Sequence, residues 1–232
     1  MQELEKDLEQ LELFAEQLSD HDAVLNCFYR YIHYYGQLHI TGTMEQFSKR
    51  SDVSLEIGEE GIYEGYDTIE RYFGFMPKLA KKPGIMIYHY VDTPVVELAG
   101  DGKTAKLTCL APGLDAAAKA LVQNWIYGKY HVDLIKEEGV WKLWHVQWFR
   151  TFECAMTAGW LKEQTAHDKE LTHPELADVY EGLPKPAPGS YPEDWKYPKH
   201  FDTTKVNYLM PEPPEAYETW QGKTSMKVTR KY

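Results

Sequence analysis

The chain has few cysteines, and they are not clustered. Only three of its 232 residues are cysteine, namely Cys27, Cys109 and Cys154, and they lie far apart. None belongs to a CxxC pair or to a Cys/His group at the spacing that structural zinc sites require. The sequence therefore predicts three buried thiols, with neither a disulfide framework nor a metal site.

Basic residues are too few to neutralise a phosphate backbone. The 25 lysines and arginines stand against 36 acidic residues, which gives a formal net charge of −11. Nucleic-acid binding depends on clustered Lys and Arg side chains. The sequence therefore predicts a protein that does not bind nucleic acid.

Long apolar runs are also missing. No apolar stretch approaches the roughly 20 residues that span a bilayer. The first residues, MQELEKDLEQLELF, alternate in charge where a signal peptide would need a basic start and an apolar core. No Ser-His-Asp, GxSxG, P-loop or GxGxxG arrangement occurs either, so no cofactor is predicted. We expect a cytoplasmic protein with no membrane partner.

Aromatic residues, by contrast, are plentiful. The chain has 17 Tyr, 8 Phe and 7 Trp, which together make up 14% of its residues. Such side chains combine a large apolar area with polar tips, so they suit a packed core and equally a pocket for a flat, hydroxylated ligand. Composition alone leaves both interpretations open.

The first third of the chain reads as helical. Leucines three and four residues apart predict an amphipathic helix over residues 1–19. The segment Ser19-Asp20-His21-Asp22 offers N-cap residues, and it predicts a separate second helix that ends near Gly36. A third helix is predicted from Tyr66, and Pro77 is expected to stop it.

Beyond Pro83 the hydrophobic period changes to two residues, as in strands. Four long strands are predicted, in the segments IMIYHYVDTPVVEL, KTAKLTCLAP, NWIYGKYHVDLIK and VWKLWHVQWFRTF, after a short one over residues 53–57. Turn signals at 100–102 and 137–139 predict hairpins and hence antiparallel pairing. Helices followed by an antiparallel sheet predict the α+β class, with one domain over residues 20–154.

Residues 155–232 differ from the rest in their proline content. Nine of the thirteen prolines lie there, and no packed element of ordinary length survives that spacing. The prediction is an extended arm that wraps its own domain or a neighbouring subunit. Its aromatic residues are the expected anchors: Trp160, Tyr180, Trp195, Tyr208 and Trp220.

Three segments together resemble the SnoaL-like branch of the nuclear transport factor 2-like superfamily. They are the Tyr-rich helix before Gly36, the segment YHYVDTPVVELAGDGKTAK and the closing hairpin YHVDLIKEEGVWKLWHV. The resemblance implies a cone-shaped half-barrel, in which a curved, mainly antiparallel sheet is closed by the N-terminal helices. This fold hosts cyclases, dehydratases, isomerases, lyases and non-enzymatic binders, so the resemblance implies fold more specifically than chemistry.

The resemblance also implies a role for His89. Dehydratases similar to scytalone dehydratase and bile-acid 7α-dehydratase keep a general-base histidine at this place in the first long strand. An imidazole with a pKa of about 6.5 has a useful base fraction at neutral pH. His89 also alternates with the apolar Ile85, Ile87 and Val91, so a hydrogen-bonded core histidine is the competing interpretation.

The same dehydratases need a Tyr and an Asp near the end of the first domain helix. Here the region reads His33-Tyr34-Tyr35-Gly36, so Tyr34 or Tyr35 is available to donate a proton or hold a carbonyl. The Asp is missing, and the strand KLTCLAPGL supplies no second histidine. The catalytic candidates are therefore His89, Tyr34 and Tyr35.

The third long strand has two distinct faces. One holds Trp125 and Lys129 and the other holds Gly128 and Tyr130, and the resemblance favours the second face as the inward one. With the first face inward, a desolvated Lys129 would act as a base. The candidate substrate-binding residues come from the first domain helix and the last two strands: Tyr31, Trp125, Lys129, Tyr130, His145 and Trp148.

These residues predict a cofactor-independent lyase, dehydratase or isomerase that acts on a small aromatic or polycyclic compound. His89 would move a proton, and a helix tyrosine would polarise an oxygen. The alternative is a non-catalytic small-molecule-binding or assembly module of the same fold. A homodimer or homotrimer is expected in both cases, because the outer face of the sheet and the arm each need a partner surface.

Overall fold

The structure is a computed structural model that describes residues 2–58, 60–161, 173–187, 201, 203–204 and 212–221. Within these ranges the chain forms five α-helices and seven strands. They are α1 (Gln2–Gly36), α2 (Ile40–Glu45), β1 (Ser54–Ile57), β2 (Gly61–Glu64), α3 (Tyr66–Tyr72), α4 (Met76–Leu79), β3 (Ile85–His89), β4 (Asp92–Leu98), β5 (Thr104–Ala117), β6 (Val122–Glu137), β7 (Val140–Ala155) and α5 (Ala177–Tyr180).

All seven strands belong to one open, curved sheet, in the order β2-β1-β7-β6-β5-β3, with β4 also paired to β5. Every pairing is antiparallel except that of β1 with β7. The predicted α+β class and half-barrel are thus confirmed. The predicted run of residues 85–98 is two strands, because the edge breaks after His89 and β3 and β4 pair with successive parts of β5.

The N-terminal region is one continuous helix, α1, where two were predicted. Asp20 does not cap a second helix, because its carboxylate accepts hydrogen bonds from Trp141 Nε1 and Lys136 Nζ, both at 2.9 Å. The predicted domain boundary at residue 19 therefore falls inside a helix. None of the described helices is both long and apolar enough to cross a membrane.

Pro77 does not end the helical region, contrary to the prediction. α3 passes through a single 3-10 turn over residues 73–75, and Pro77 then stands in the first turn of α4. A first-turn residue needs no backbone N–H, so proline is tolerated there. α3 packs against β1 and β2, and α4 packs against α5.

The core lies between α1 and the concave face of the sheet. Alternate residues of β5 and β6 point inward, and the fully buried side chains include Phe28, Phe47, Phe73, Leu107 and Leu134. The three cysteines are buried and unbridged, as the sequence predicts. Burial of large apolar side chains of this kind stabilises a domain by roughly 1.5–3 kcal/mol each.

The described parts of the proline-rich region lie against the domain. α5 is held by Lys82, whose Nζ lies 2.8 Å from an Asp178 carboxylate oxygen. Further on, Tyr217 forms a bridge with Ala99, and the ring of Trp220 lies 4.3 Å from that of Trp144. Two of the predicted anchors, Trp195 and Tyr208, lie outside the described residues.

Candidate functional site

A cavity of about 290 Å³ lies between α1, α3, α5 and the concave face of the sheet. Its walls are mostly aromatic, with a few polar and charged groups among them. The lining residues are Tyr31, Tyr35, Ile57, Glu60, Tyr63, Tyr72, Phe73, Phe75, Ile87, His89, Asp115, Ile126, Tyr130, Trp148, Arg150, Glu153, Tyr180 and Leu183.

His89 lies at the centre of the aromatic wall. Its Nδ1 is 2.6 Å from the hydroxyl of Tyr130, and its ring stacks on Trp148 with centroids 4.6 Å apart. The ring of Tyr35, one helical turn after Tyr31 on α1, lies 5.3 Å away. Five predicted site residues from four elements (α1, β3, β6 and β7) therefore lie together around the His89 ring: Tyr31, Tyr35, His89, Tyr130 and Trp148.

The ionisation of this group is set mainly by burial. Burial, aided by the charge of Arg150, lowers the pKa of His89 to about 3, so the imidazole is neutral at physiological pH. Burial also raises the pKa of Tyr130 well above its ordinary value, which keeps its phenol protonated. When His89 Nδ1–H donates to the Tyr130 oxygen, Nε2 carries the lone pair and can accept a proton.

Two glycines make room for these rings. Gly113 pairs with His89 across β3 and β5, and a Cβ there would lie 2.5 Å from Tyr88 O and 3.0 Å from His89 Cδ2. Gly128 pairs with Arg150, and a Cβ there would lie 2.6 Å from Phe149 O. Side chains at these positions would push the neighbouring strand and the His89 ring out of place.

Charged side chains line the rest of the cavity. Arg150 Nε lies 3.3 Å from a Glu153 carboxylate oxygen, and the other oxygen accepts a hydrogen bond of 3.0 Å from Asn124 Nδ2. Near the β1–β2 turn, Tyr63 donates to Glu60 at 3.0 Å. The cavity therefore combines a neutral base, phenols and a guanidinium, which is a set that can move protons and stabilise a developing oxyanion.

Asp115 and Arg150 were not predicted as site residues, although each is a charged residue on the inward-facing side of its strand. The inward positions of β5 are small or apolar from Ala105 to Gly113, and Asp115 continues the same row as a buried carboxylate. Arg150 shares its side of β7 with Trp148. A charged residue in an otherwise apolar inward row is costly to bury, which favours a functional role.

Four predicted site residues lie outside the cavity. Tyr34 packs against His39, with ring centroids 5.4 Å apart, because it lies off the Tyr31–Tyr35 face of α1. Trp125 and Lys129 point to the outer face of the sheet, since Gly128 and Tyr130 are the inward positions of β6. Burial lowers the pKa of Lys129 there. The predicted catalytic residue Tyr34 and the predicted substrate-binding residues Trp125 and Lys129 therefore do not line the cavity.

His145 is the fourth predicted site residue that lies outside the cavity, and it is also on the outer face of the sheet. A bulge in β7 pairs Leu143 with Leu134 and His145 with Asp133, so Trp144 is an extra residue. His145 Nδ1 lies 3.1 Å from Asp133 Oδ2. Beyond the bulge the register is regular, so His145 and Trp148 point to opposite sides of the sheet, and Trp148 is inward.

Asp133 is the centre of a buried polar group on the outer face. Lys106 Nζ donates to Asp133 at 3.0 Å, and His131 Nδ1 lies 2.9 Å from the hydroxyl of Thr108. Burial would raise the pKa of Asp133, but the hydrogen bond from His145 and the nearby positive charges lower it below the usual range. Burial lowers the pKa of His131 to about 4.

Residues 212–221 cover part of this polar group. The hydroxyl of Tyr217 lies 3.1 Å from that of Thr104, and the Tyr217 ring lies under Lys106 Nζ at 5.5 Å. The Trp220 ring stacks near His145 with centroids 5.5 Å apart. Among the described residues, no group of three or more His, Cys, Asp or Glu side chains could hold a metal ion.

A family model described as the SnoaL-like domain matches residues 16–147. The fold is similar to a scytalone dehydratase-like protein from Novosphingobium aromaticivorans, with a TM-score of 0.54 and 13% identity over 61% of this chain and 91% of that one. It is also similar to the hexachlorocyclohexane dehydrochlorinase LinA-type3 from Novosphingobium barchaimii, with a TM-score of 0.53 and 11% identity over 64% and 98% of the two chains. At these identities the likeness concerns the fold alone. Curated protein sequences give no match.

Proposed function

This chain belongs to the SnoaL-like domain family, and we propose that it is a cofactor-independent lyase, dehydratase or isomerase acting on a small cyclic or aromatic compound. Family membership confirms the resemblance seen in the sequence. Together with neighbours of the dehydratase and dehydrochlorinase type, it supports a small-molecule-processing domain at the level of the family. The specific reaction, and the residues that would perform it, are what we propose.

The observation that carries the proposal is the placement of His89. A neutral imidazole with a tyrosine partner at 2.6 Å stands in a cavity that also contains a guanidinium, carboxylates and further phenols. A core histidine of purely structural use needs hydrogen-bond partners but no space in front of it. Convergent polar groups around a mostly apolar cavity are typical of ligand and active sites.

In the proposed reaction His89 Nε2 removes a proton from a carbon next to a carbonyl, and Tyr130 holds the ring through Nδ1–H. The Arg150 guanidinium stabilises the negative charge that develops on the carbonyl oxygen. The Tyr35 phenol donates a hydrogen bond to the departing or migrating oxygen. When a hydroxyl leaves, it takes up the proton that His89 removed from the carbon and departs as water, and a C=C bond forms in conjugation with the carbonyl.

The size of the cavity limits the size of the substrate. A volume of about 290 Å³ lies just below the range of about 300–1,000 Å³ that is common for small-molecule sites. Such a space suits a compound of one or two rings rather than a larger polycycle. The aromatic walls would stack on its flat faces.

The low pKa of His89 favours a second candidate function. An imidazole that binds a proton only near pH 3 is a weak base, which reduces the driving force for proton abstraction. A module that binds a small molecule without converting it would tolerate this property. The two functions differ in whether a bound probe is turned over.

Turnover of model ketones tests the proposal. β-Hydroxycyclohexanones lose water and β,γ-cyclohexenones isomerise, and both give conjugated enones that are followed by ultraviolet absorbance. We expect His89→Gln to lower kcat/KM by about 100-fold or more, as loss of a general base does. The matched control is His131→Gln, a buried histidine on the outer face, which should change kcat/KM by less than about twofold.

Retained turnover in His89→Gln would contradict the proposed role of this residue. Binding of the ketones with no turnover in the wild-type chain would support the binding module instead. Calorimetric titration of the same ketones distinguishes that result from a failure to bind.

We also propose that the chain associates as a homodimer or homotrimer, with residues 155–232 as an arm that supports the assembly. An exposed apolar patch on the outer face supports this proposal. It is formed by Tyr88, Tyr90, Leu110, Trp125 and Tyr127, each more than a third exposed. Contiguous exposed aromatic residues are typical of protein interfaces. Tyr127→Glu should shift the mass measured by light scattering to that of a monomer; an unchanged mass would count against this surface.

A further inference from the structure

The N-terminal part of α1 carries a row of exposed leucines beyond the matched family region. The family match begins at residue 16, and α1 begins at Gln2, so about 20 Å of helix precedes it. The large apolar side chains of α1 from Leu4 to Leu18 are more than half exposed. They are Leu4 at 73%, Leu8 at 57%, Leu11 at 64%, Leu13 at 56%, Phe14 at 61% and Leu18 at 54%.

Four of these leucines follow the spacing of a coiled-coil seam. Leu4, Leu8, Leu11 and Leu18, with Ala15 between the last two, alternate steps of four and three residues. With about 100° of rotation per residue, all five fall within one narrow strip of the helix. Leu13 lies on the opposite side of the helix. A seam of this kind packs against another helix.

The seam leads directly into a groove on the domain. The groove has a volume of about 1290 Å³ and lies between α1, α2 and the β6–β7 hairpin. Asp22, Asn26 and Arg30 of α1 line it, and on the helix they continue the side on which the leucines lie. Phe47 and Trp141 form its apolar floor. One elongated partner can therefore follow the seam and enter the groove.

The charges beside the seam are almost all acidic. Residues 2–18 contain six Glu or Asp side chains and one Lys. The groove adds four acidic lining residues, Asp22, Glu45, Glu137 and Glu138, against Arg30, Lys49 and Lys142. Helix residues 2–18 and the groove lining together carry ten acidic and four basic side chains, so this part of the molecule attracts a positively charged partner.

We propose that this surface is the docking site for an amphipathic helix of a partner protein, whose leucine-type seam is flanked by lysines and arginines. The apolar row supplies packing, and the acidic flanks select the charge of the partner. A second copy of the same helix would place acidic side chains against each other along the whole seam. An anionic bilayer would repel the acidic flanks in the same way.

A designed peptide tests the proposal on the full chain. The probe is a synthetic 21-residue helix with leucines at the same heptad positions and lysines at the flanking ones. Titration calorimetry should detect binding that weakens as NaCl is raised, because salt screens the charges. The comparison probes are a peptide with the sequence of residues 2–18 and vesicles of phosphatidylcholine and phosphatidylserine, neither of which should bind.

Matched variants locate the binding surface. The double variant Leu8→Gln/Leu11→Gln should weaken binding of the basic peptide at least about tenfold, because two seam contacts are lost. Leu13→Gln removes a leucine with the same exposure from the opposite side of the helix, so it should change the affinity less than about twofold. Circular dichroism on each variant verifies that α1 is intact.

Three results would overturn the proposal. The first is no binding of the basic peptide to the wild-type chain. The second is equal weakening by the seam and Leu13 variants. The third is tighter binding of the acidic peptide or of the vesicles, which would assign the seam to a second copy of the chain or to a membrane surface.

Discussion

The concave and outer faces of one sheet both bury histidines, in different surroundings. On the concave face, His89 hydrogen-bonds to the neutral phenol of Tyr130 and faces a cavity. On the outer face, His145 contacts the Asp133 carboxylate and His131 the hydroxyl of Thr108, beneath residues 212–221. Burial lowers the pKa of both His89 and His131, so burial alone does not distinguish a site from a structural network.

The two faces differ in the hydrogen-bond partners of their histidines and in the free space beside the rings. On the outer face, the Asp133 carboxylate compensates the positive charges around it, and Lys106 and His145 contact it directly. A neutral phenol holds the His89 ring in position but supplies no charge, and the space in front of the ring is large enough for a small molecule. We therefore propose a functional role for the concave face and a stabilising role for the outer one.

The largest expected effect concerns the outer face. Asp133→Asn removes the negative charge that Lys106 and His145 contact, so we expect the free energy of unfolding to fall by about 3–5 kcal/mol. Asp115→Asn is the control on the concave face, and it should cost less because it adjoins the cavity. Urea titration measures the free energy of unfolding of both variants. Equal losses in the two would contradict the assignment of a stabilising role to the outer face.

Acid should destabilise the chain through both faces. The pKa values of His89 and His131 are about 3 and about 4 in the folded chain, below the value of about 6.5 expected after unfolding. The unfolded chain thus takes up protons first, and stability present above pH 6.5 is lost as the pH falls toward 4. Each histidine should contribute on the order of 3 kcal/mol of this loss.

Urea titrations between pH 4 and pH 7 measure the acid effect. His89→Gln and His131→Gln should each flatten part of the dependence on pH. An unfolding free energy that is constant over this range in the wild-type chain would contradict the burial of neutral imidazoles on both faces.

Gly113, on the concave face, allows the position of the His89 ring to be changed without changing the histidine itself. Gly113→Ala places a methyl group against Tyr88 O and His89 Cδ2, so we expect a loss of about 1–3 kcal/mol in unfolding free energy. It should also lower kcat/KM toward the ketone probes. Ala111→Gly is the control on the same inward row of β5, with kcat/KM unchanged. Normal turnover in Gly113→Ala would show that the His89 ring needs no exact placement.

The smallest expected effect on stability concerns residues 212–221, which cover part of the polar group on the outer face. Trp220→Ala removes the ring contacts with Trp144 and His145, worth about 0.5–1.5 kcal/mol. The amides of Gly100 and Asp101, which donate to Tyr217 and Glu218, should exchange with deuterium faster in this variant. Exchange that is unchanged would mean that the segment is held without Trp220.

Much of the fold was predictable from local patterns. Alternation separated Gly128 and Tyr130 from Lys129 on the two faces of β6, and the family resemblance favoured the first two as inward. The hairpin at residues 137–139 followed from its turn residues. The continuity of α1 was not predictable, because Asp20 is bound by Trp141, which is 121 residues away. Such tertiary contacts override an N-cap signal that is correct in isolation.

The site was predictable only in part. His89, Tyr35 and Tyr130 were identified, and the structure brings them together. His145 was predicted as a pocket residue together with Trp148, although strand alternation places these two residues of β7 on opposite sides of the sheet. Arg150 was missed because its relation to His89 depends on strand register across the sheet, which the sequence does not state.

Imidazole ¹⁵N NMR on the full chain tests the central claim most directly. 2-Cyclohexenone and 2-naphthol are the probes, and the signals of His89, His131 and His145 are assigned by single His→Gln variants. We predict that the His89 nitrogens shift on addition of a probe, while those of His131 and His145 do not. Shifts at His131 or His145 with an unchanged His89 would place the ligand site on the outer face and contradict the account.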